Sequence, residues 1–247
     1  MEQEVAQTSP AELLTAADVT LYGAKADGRG RWALYDAQRS AREVARYKLA
    51  PLGRWMLETA CEQAAEWREQ VPGSGIFVSV NIAPGQAQDP SLVDDVAAAP
   101  TRTGLNPSLL QLELTESAVM DTYGPPLQTL RTLTNNGVRV AIDDFGTGYS
   151  NLAYLRKFPV QTLKLAASFV EGLREPDHHD KADEEIISAV IRLAHALSLT
   201  VTAEGIETQA QADRLRALNC DTGQGWLFSR PQTADNIRTL LRPRAGM

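Results

Sequence analysis

Soft metal donors are scarce in this chain, which carries two cysteines and three histidines in 247 residues. Cys61 and Cys220 are far apart and lack ligand-like spacing, which excludes a zinc ribbon and a disulfide framework and predicts reduced, partly buried thiols. His178 and His179 sit side by side in REPDHHDKADEE, a polar run that reads as a solvated loop with nothing nearby to complete a metal site. Long apolar runs are missing too: none approaches the ~20 residues that a bilayer span requires. The opening residues, MEQEVAQTSPAE, are acidic and polar, unlike a signal peptide, so a cytoplasmic protein without membrane contact is expected. Basic charge is in deficit, with 24 Lys and Arg against 31 Asp and Glu, a net charge of −7 and a pI near 5.1. That balance argues against general nucleic-acid binding or an anionic membrane surface, but leaves room for a local phosphate pocket. No self-similar period of 20 to 50 residues is present, which removes a solenoid.

What the chain does have is 43% hydrophobic residues, ordinary for a globular protein, and length enough for one barrel or two small domains. Residues 141–160, AIDDFGTGYSNLAYLRKFPV, are the focus. The run leading into them, VRVAID, reads as a buried parallel strand that ends in two adjacent carboxylates, Asp143 and Asp144. A glycine loop follows, with Gly146 and Gly148, and then Ser150 and Asn151 as caps for a helix carrying Leu152 and Leu155. Carboxylates at the carboxyl end of a strand, under a loop, suit a metal site on an α/β barrel, although a bare strand-to-helix turn would read the same way.

Elsewhere, residues 1–10 have the composition of a disordered tail. Residues 11–38 read as an amphipathic helix, a glycine turn and a short strand, RWALY, at 31–35. Residues 40–70 are helical in period, with Pro51 expected to split them near Ala50 and with Leu52, Trp55, Met56, Ala60 and Cys61 expected on one face. From residue 76 strands and helices alternate, which favours a parallel sheet with crossover helices. The expected strands are 76–82, 109–115, 138–143, 160–166, 199–205 and 223–228. Helices are expected near 90–103, 125–136, 150–157, 182–198 and 208–218, and from about 233. The fold class is therefore α/β, a TIM-like barrel of about six βα units with an N-terminal helix and strand appendage.

Polar side chains recur where these strands end: Asn81, then Glu113 and Glu116, Asp143 and Asp144, Lys164, Glu204 and Glu207, and Gln224. In a barrel such positions converge on one mouth. Several charges close to apolar stretches need neutralising, by one another or by a cation. Lys164 is expected to pair with one carboxylate, which leaves too many for salt bridging alone. Hard oxygen donors and an amide, without cysteine or histidine, suit Mg²⁺, Mn²⁺ or Ca²⁺. Asp143 is the candidate to reach two ions. Lys164 would orient or deprotonate an attacking water, or stabilise phosphate charge.

Six motifs, VSVNIAPGQ, LELTES, IDDFGTGYSNLAYL, LKLAASFV, TAEGIET and QGWLFSRP, resemble in order and spacing the EAL-domain phosphodiesterases of bacterial cyclic di-GMP signalling, over about residues 51–241. The resemblance implies a barrel that hydrolyses cyclic di-GMP to pGpG with Mg²⁺ or Mn²⁺, Ca²⁺ being a non-productive occupant. It implies Asn81, Glu113, Asp143, Asp144 and Glu204 as metal ligands, and Lys164, Asp143 and Glu204 as catalytic groups. Glu116, Gly146, Gly148, Glu207, Gln224 and Gly225 are implied as loop and ligand-binding positions, the two glutamates holding the loop after Asp144. Residues 11–38 resemble the end of a GGDEF diguanylate cyclase domain without its signature, 39–50 a connecting helix, and 51–247 a truncated EAL domain.

Two departures matter. The strands that carry the family's name-giving glutamate and a neighbouring arginine are missing between the GGDEF-like tail and Pro51, and Lys164 is followed by Leu165, Ala166 and Ala167 in place of an acid-arginine pair. Losing an anionic ligand weakens Mg²⁺ binding. The expected function is a degenerate EAL domain with phosphodiesterase activity lost or strongly impaired, acting as a cyclic di-GMP or protein-binding regulatory module. The alternatives are an active phosphodiesterase and a poorly folding truncated product. Open edges at the first and last strands make a homodimer possible, unless RWALY covers one of them.

Overall fold

The computed structural model describes residues 37–73, 75–89, 91–116, 118, 125–146, 155–173 and 181–241. The expected disordered tail, the RWALY strand, the histidine pair, Gly148 and the caps Ser150 and Asn151 lie outside the described residues. The chain divides into Met1–Gly53 and Arg54–Met247, and the sheet with its crossover helices belongs to the second unit.

One helix, α1, covers Ala37–Gln70 and runs through Pro51, where the sequence predicts a break. Proline removes a single i→i−4 hydrogen bond, and the residues beyond it are committed to the helix by burial of Leu57, Cys61 and Ala64. That i, i+4, i+7 stripe also corrects the expected face. Trp55 and Met56 fall off it and are exposed, at 61% and 42%.

Among the described residues six strands follow: β1 (Val78–Asn81), β2 (Leu110–Thr115), β3 (Arg139–Phe145), β4 (Thr162–Leu165), β5 (Thr200–Ala203) and β6 (Thr222–Gly223). They form one parallel sheet in chain order, a curled half-barrel with β1 and β6 outermost. The main crossover helices are α3 (Leu92–Thr103), α4 (Pro125–Asn135), α6 (Lys181–Ala196) and α7 (Gln209–Ala217). Two short helices, α2 (Pro84–Ala87) and α5 (Ala167–Glu171), and α8 (Ala234–Leu241) are also among the described residues. The last strand is shorter than its apolar run suggests. After Gln224 the backbone turns, Leu227 N–H donating to Ile206 O and Phe228 N–H to Gly225 O, so the aromatic side chains leave the sheet. Trp226 and Phe228 are 57% and 60% exposed.

Strand parity sorts the sheet into two chemistries. One set, including Val80, Leu112, Val140, Ile142, Leu163 and Val201, is buried with Leu57, Leu130, Leu133, Ile187 and Ile191 in a single core. The other set is polar. In register it runs Ser79 beside Gln111 and Asn81 beside Glu113, with Thr162 beside Thr200 and Lys164 beside Thr202. A closed barrel fills such layers with branched apolar residues. Here the layer below the strand ends is a hydrogen-bonded belt: Gln111 Nε2 donates to Ser79 Oγ (3.0 Å), Thr162 Oγ1 to Gln111 Oε1 (3.3 Å), and the Thr162 and Thr200 hydroxyls lie 3.1 Å apart.

Candidate metal and phosphate site

Lys164 rises from β4 into the centre of three carboxylates. Its Nζ lies 2.6 Å from Glu113 Oε2, 2.7 Å from Glu204 Oε1 and 2.9 Å from Asp143 Oδ1. The sequence predicts pairing with one acid, whereas the curl of the sheet brings the ends of β2, β3 and β5 around a single ammonium. Lys164 and Glu113 are nearly sealed, at 4% and 6% exposure. Burial opposes the charge on Lys164, but the acids it donates to or pairs with, Glu113, Glu204 and Asp143, outweigh it and hold the ammonium above its ordinary range. Burial raises the Glu204 carboxyl above its ordinary value, against the pull of Lys164.

Asp143 and Asp144 are neighbours, and in a regular strand their side chains would face opposite sides of the sheet. The register against β4 shifts between Ile142 and Phe145, and Asp144 takes φ 53°, a left-handed conformation that aspartate tolerates. The outcome is a cluster in which ligand oxygens of Asp143, Asp144 and Glu204 all lie within 4.8 Å of one another. Asp143 Oδ1 is shielded from solvent and receives no aligned hydrogen bond despite its ion pair with Lys164. A buried oxygen in that state, amid other hard oxygens and one ammonium, is suited to a divalent cation.

Surrounding residues hold this arrangement. Glu116 is buried and its Oε2 accepts the Gly146 N–H at 2.9 Å, which ties the turn after β3 to the end of β2. Gly146 has φ 97°, and a Cβ there would fall 2.3 Å from the Phe169 ring. Asn81 sits beside Glu113 in register but is exposed. Glu207 is exposed and gives its backbone N–H to Gln211 Oε1. Gln224 bonds through its backbone to Ala203 and Ile206, its residue being exposed. The next residue, Gly225, packs so closely on Ile206 that a Cβ would meet backbone at 2.1 Å. The structure thus gathers Glu113, Asp143, Asp144, Lys164 and Glu204 into one cluster. Asn81, Glu116, Glu207 and Gln224 lie on or just beyond the neighbouring strand ends.

Sequence reasoning missed Gln111, Gln211 and Phe169. Gln111 shares the parity of Glu113, which was the available signal. Gln211 is fully buried, accepts the Glu207 and Thr208 N–H groups, and donates to Val170 O, joining the loop after β5 to α5.

The EAL domain family model matches residues 29–231. A relative, the bifunctional diguanylate cyclase/cyclic di-GMP phosphodiesterase MucR of Pseudomonas aeruginosa, is 39% identical over 190 residues, covering 76% of this chain and 27% of MucR. The structure of the MucR phosphodiesterase in complex with c-di-GMP aligns with a TM-score of 0.72 at 38% identity, over 78% of this chain and 77% of that one. The EAL domain of Mycobacterium smegmatis DcpA aligns with a TM-score of 0.71 at 42% identity, over 77% and 84%. Klebsiella pneumoniae BlrP1, in a manganese/cy-diGMP complex, aligns with a TM-score of 0.61 at 30% identity, over 72% and 45%. This chain spans 22–23% of the length of the first curated relatives it matches. With the EAL model matched over residues 29–231 and solved EAL structures aligning at 38–42% identity, the chain belongs to the EAL domain family.

Proposed function

We propose that this chain is a divalent-metal-binding EAL module that recognises cyclic di-GMP and in which phosphodiesterase turnover is lost or strongly impaired. The observation that carries the reading is the acidic cluster of Asp143, Asp144 and Glu204 on the strand ends, in a sequence without the family's name-giving glutamate before Pro51. Asn81, Glu113, Asp143, Asp144 and Glu204 would hold Mg²⁺ or Mn²⁺, which when bound lowers the pKa of water and polarises phosphate oxygens. The manganese and calcium complexes of BlrP1 with cyclic di-GMP support that choice of ion and ligand.

The remaining work falls to side chains. Lys164, with Nζ 2.6–2.9 Å from Glu113, Asp143 and Glu204, stands as a hydrogen-bond donor and positive charge toward a phosphate oxygen. Glu116 keeps the turn at Gly146 against the site. Turnover suffers because the sequence between the GGDEF-like stretch and Pro51 holds no counterpart of the family's name-giving glutamate and its neighbouring arginine. Loss of an outer partner of a ligand already costs about 10–100-fold, and loss of a ligand itself at least as much.

The test is to incubate purified protein with cyclic di-GMP and Mn²⁺, with the MucR phosphodiesterase run alongside, and to titrate cyclic di-GMP calorimetrically in Ca²⁺. Binding in Ca²⁺, with pGpG formed at least about 100-fold more slowly than by MucR, is the expected result. Turnover matching MucR would establish the active-enzyme reading instead. A non-cooperative thermal transition would point to the poorly folding product.

A further inference from the structure

Glu113 presents two oxygens, each with its own buried partner. Oε2 meets Lys164 at 2.6 Å, and Oε1 accepts from Gln111 Nε2 at 3.4 Å. Gln111 is 3% exposed, one layer below the strand ends, in a position where a barrel ordinarily places a branched apolar side chain. A buried primary amide is destabilising there unless it is satisfied, and this one is engaged at both ends, by Ser79 Oγ and Glu113 on the nitrogen and by Thr162 on the oxygen. Gln111 and Thr162 are buried between Ser79 and Thr200, which are exposed, and the Gln111 nitrogen has Ser79 Oγ and Glu113 Oε1 as its partners. Ser79 Oγ and Thr162 Oγ1 hold the amide directly, and the amide fixes the rotation of the Glu113 carboxylate.

We propose that Gln111 is a positioning residue for the metal site, holding Glu113 in the orientation in which it can serve a divalent ion. The inference rests on the proposed metal-binding reading. Gln111 itself touches neither ion nor substrate. Without its N–H, Glu113 Oε1 would be buried with no partner, and the carboxylate would turn to satisfy both oxygens on Lys164.

The experiment is a calorimetric Mn²⁺ titration of the full chain, with an unfolding curve for every variant. Gln111→Met keeps the length and removes the donor. Thr200→Val disturbs the same belt without touching Glu113. The expected result is an Mn²⁺ Kd raised about 10–100-fold in Q111M and within about twofold of wild type in T200V, both variants unfolding cooperatively. If Q111M does not fold, Gln111→Thr replaces it, since threonine suits a strand but is too short to reach Glu113, and the same loss is expected. A Kd within twofold of wild type in the Gln111 variant overturns the proposal, as does an equal loss in T200V, which would assign the effect to the belt as a whole. Wild-type protein that takes no Mn²⁺ refutes the metal-binding reading, and this proposal with it. Wild-type binding with an unaffected Gln111 variant refutes this proposal alone.

Discussion

Replacing Lys164 with methionine removes the one ammonium from the cluster and leaves its acids in place. Three contacts of 2.6–2.9 Å disappear together, and Glu113, Asp143 and Glu204, with side chains 7%, 14% and 18% exposed, are left without their counter-charge. Breaking a buried ion pair from one side costs about 3–5 kcal/mol, because the charge left behind has lost its compensation. For a domain of this size each kcal/mol lowers the melting midpoint by about 2–4 °C, so K164M without metal should melt roughly 6–20 °C below wild type. Added Mn²⁺ should recover more stability in K164M than in wild type, since the ion restores positive charge that the variant lacks. The assay is thermal unfolding followed by circular dichroism, in chelator and then in excess Mn²⁺, with two-state behaviour checked by a second probe. A K164M midpoint within 2 °C of wild type in chelator would refute the reasoning, because the lysine would then not be what makes the acidic cluster tolerable.

Metal alone should stabilise the wild type: at a free Mn²⁺ concentration 100-fold above Kd the gain is about 2.7 kcal/mol, and Asp143→Ala or Glu204→Ala should abolish the corresponding rise in midpoint. Gly146→Ala should destabilise by about 1–3 kcal/mol, since φ 97° strains alanine and its Cβ would meet Phe169, and Phe169→Ala should recover part of that loss in a double-mutant cycle. Away from the site, burial opposes the charge on Asp221, but hydrogen bonds from His195 and the Val201 N–H outweigh it and hold the carboxyl below its ordinary value of 3.8. A depressed carboxyl contributes stability that is complete above the ordinary value and is lost as pH falls through the lowered one. The urea midpoints of wild type and Asp221→Asn should therefore differ at pH 6 and converge toward pH 2.5. Both partners are more than a third exposed, so the gap should be small, about 0.2–1 kcal/mol.

The sequence by itself determined the order of strands and helices from residue 76 onward, and which residues would stand at the strand ends. Alternation of apolar runs with amphipathic stretches is a local property, and a polar residue closing an apolar run can be read without knowing where the chain goes next. The six motifs carried the family for the same reason. Tertiary structure decided the rest. Lys164 holds three carboxylates because the sheet curls, and curl is a sum over strands that no single stretch encodes. Asp143 and Asp144 join one cluster through a bulge against β4, a feature of pairing rather than of composition. Pro51 stays inside a helix because distant contacts of Leu57, Cys61 and Ala64 outweigh a local preference. Gln111 reads as an ordinary strand residue until the neighbouring strands close over it, and only then is its amide held among Ser79, Glu113 and Thr162.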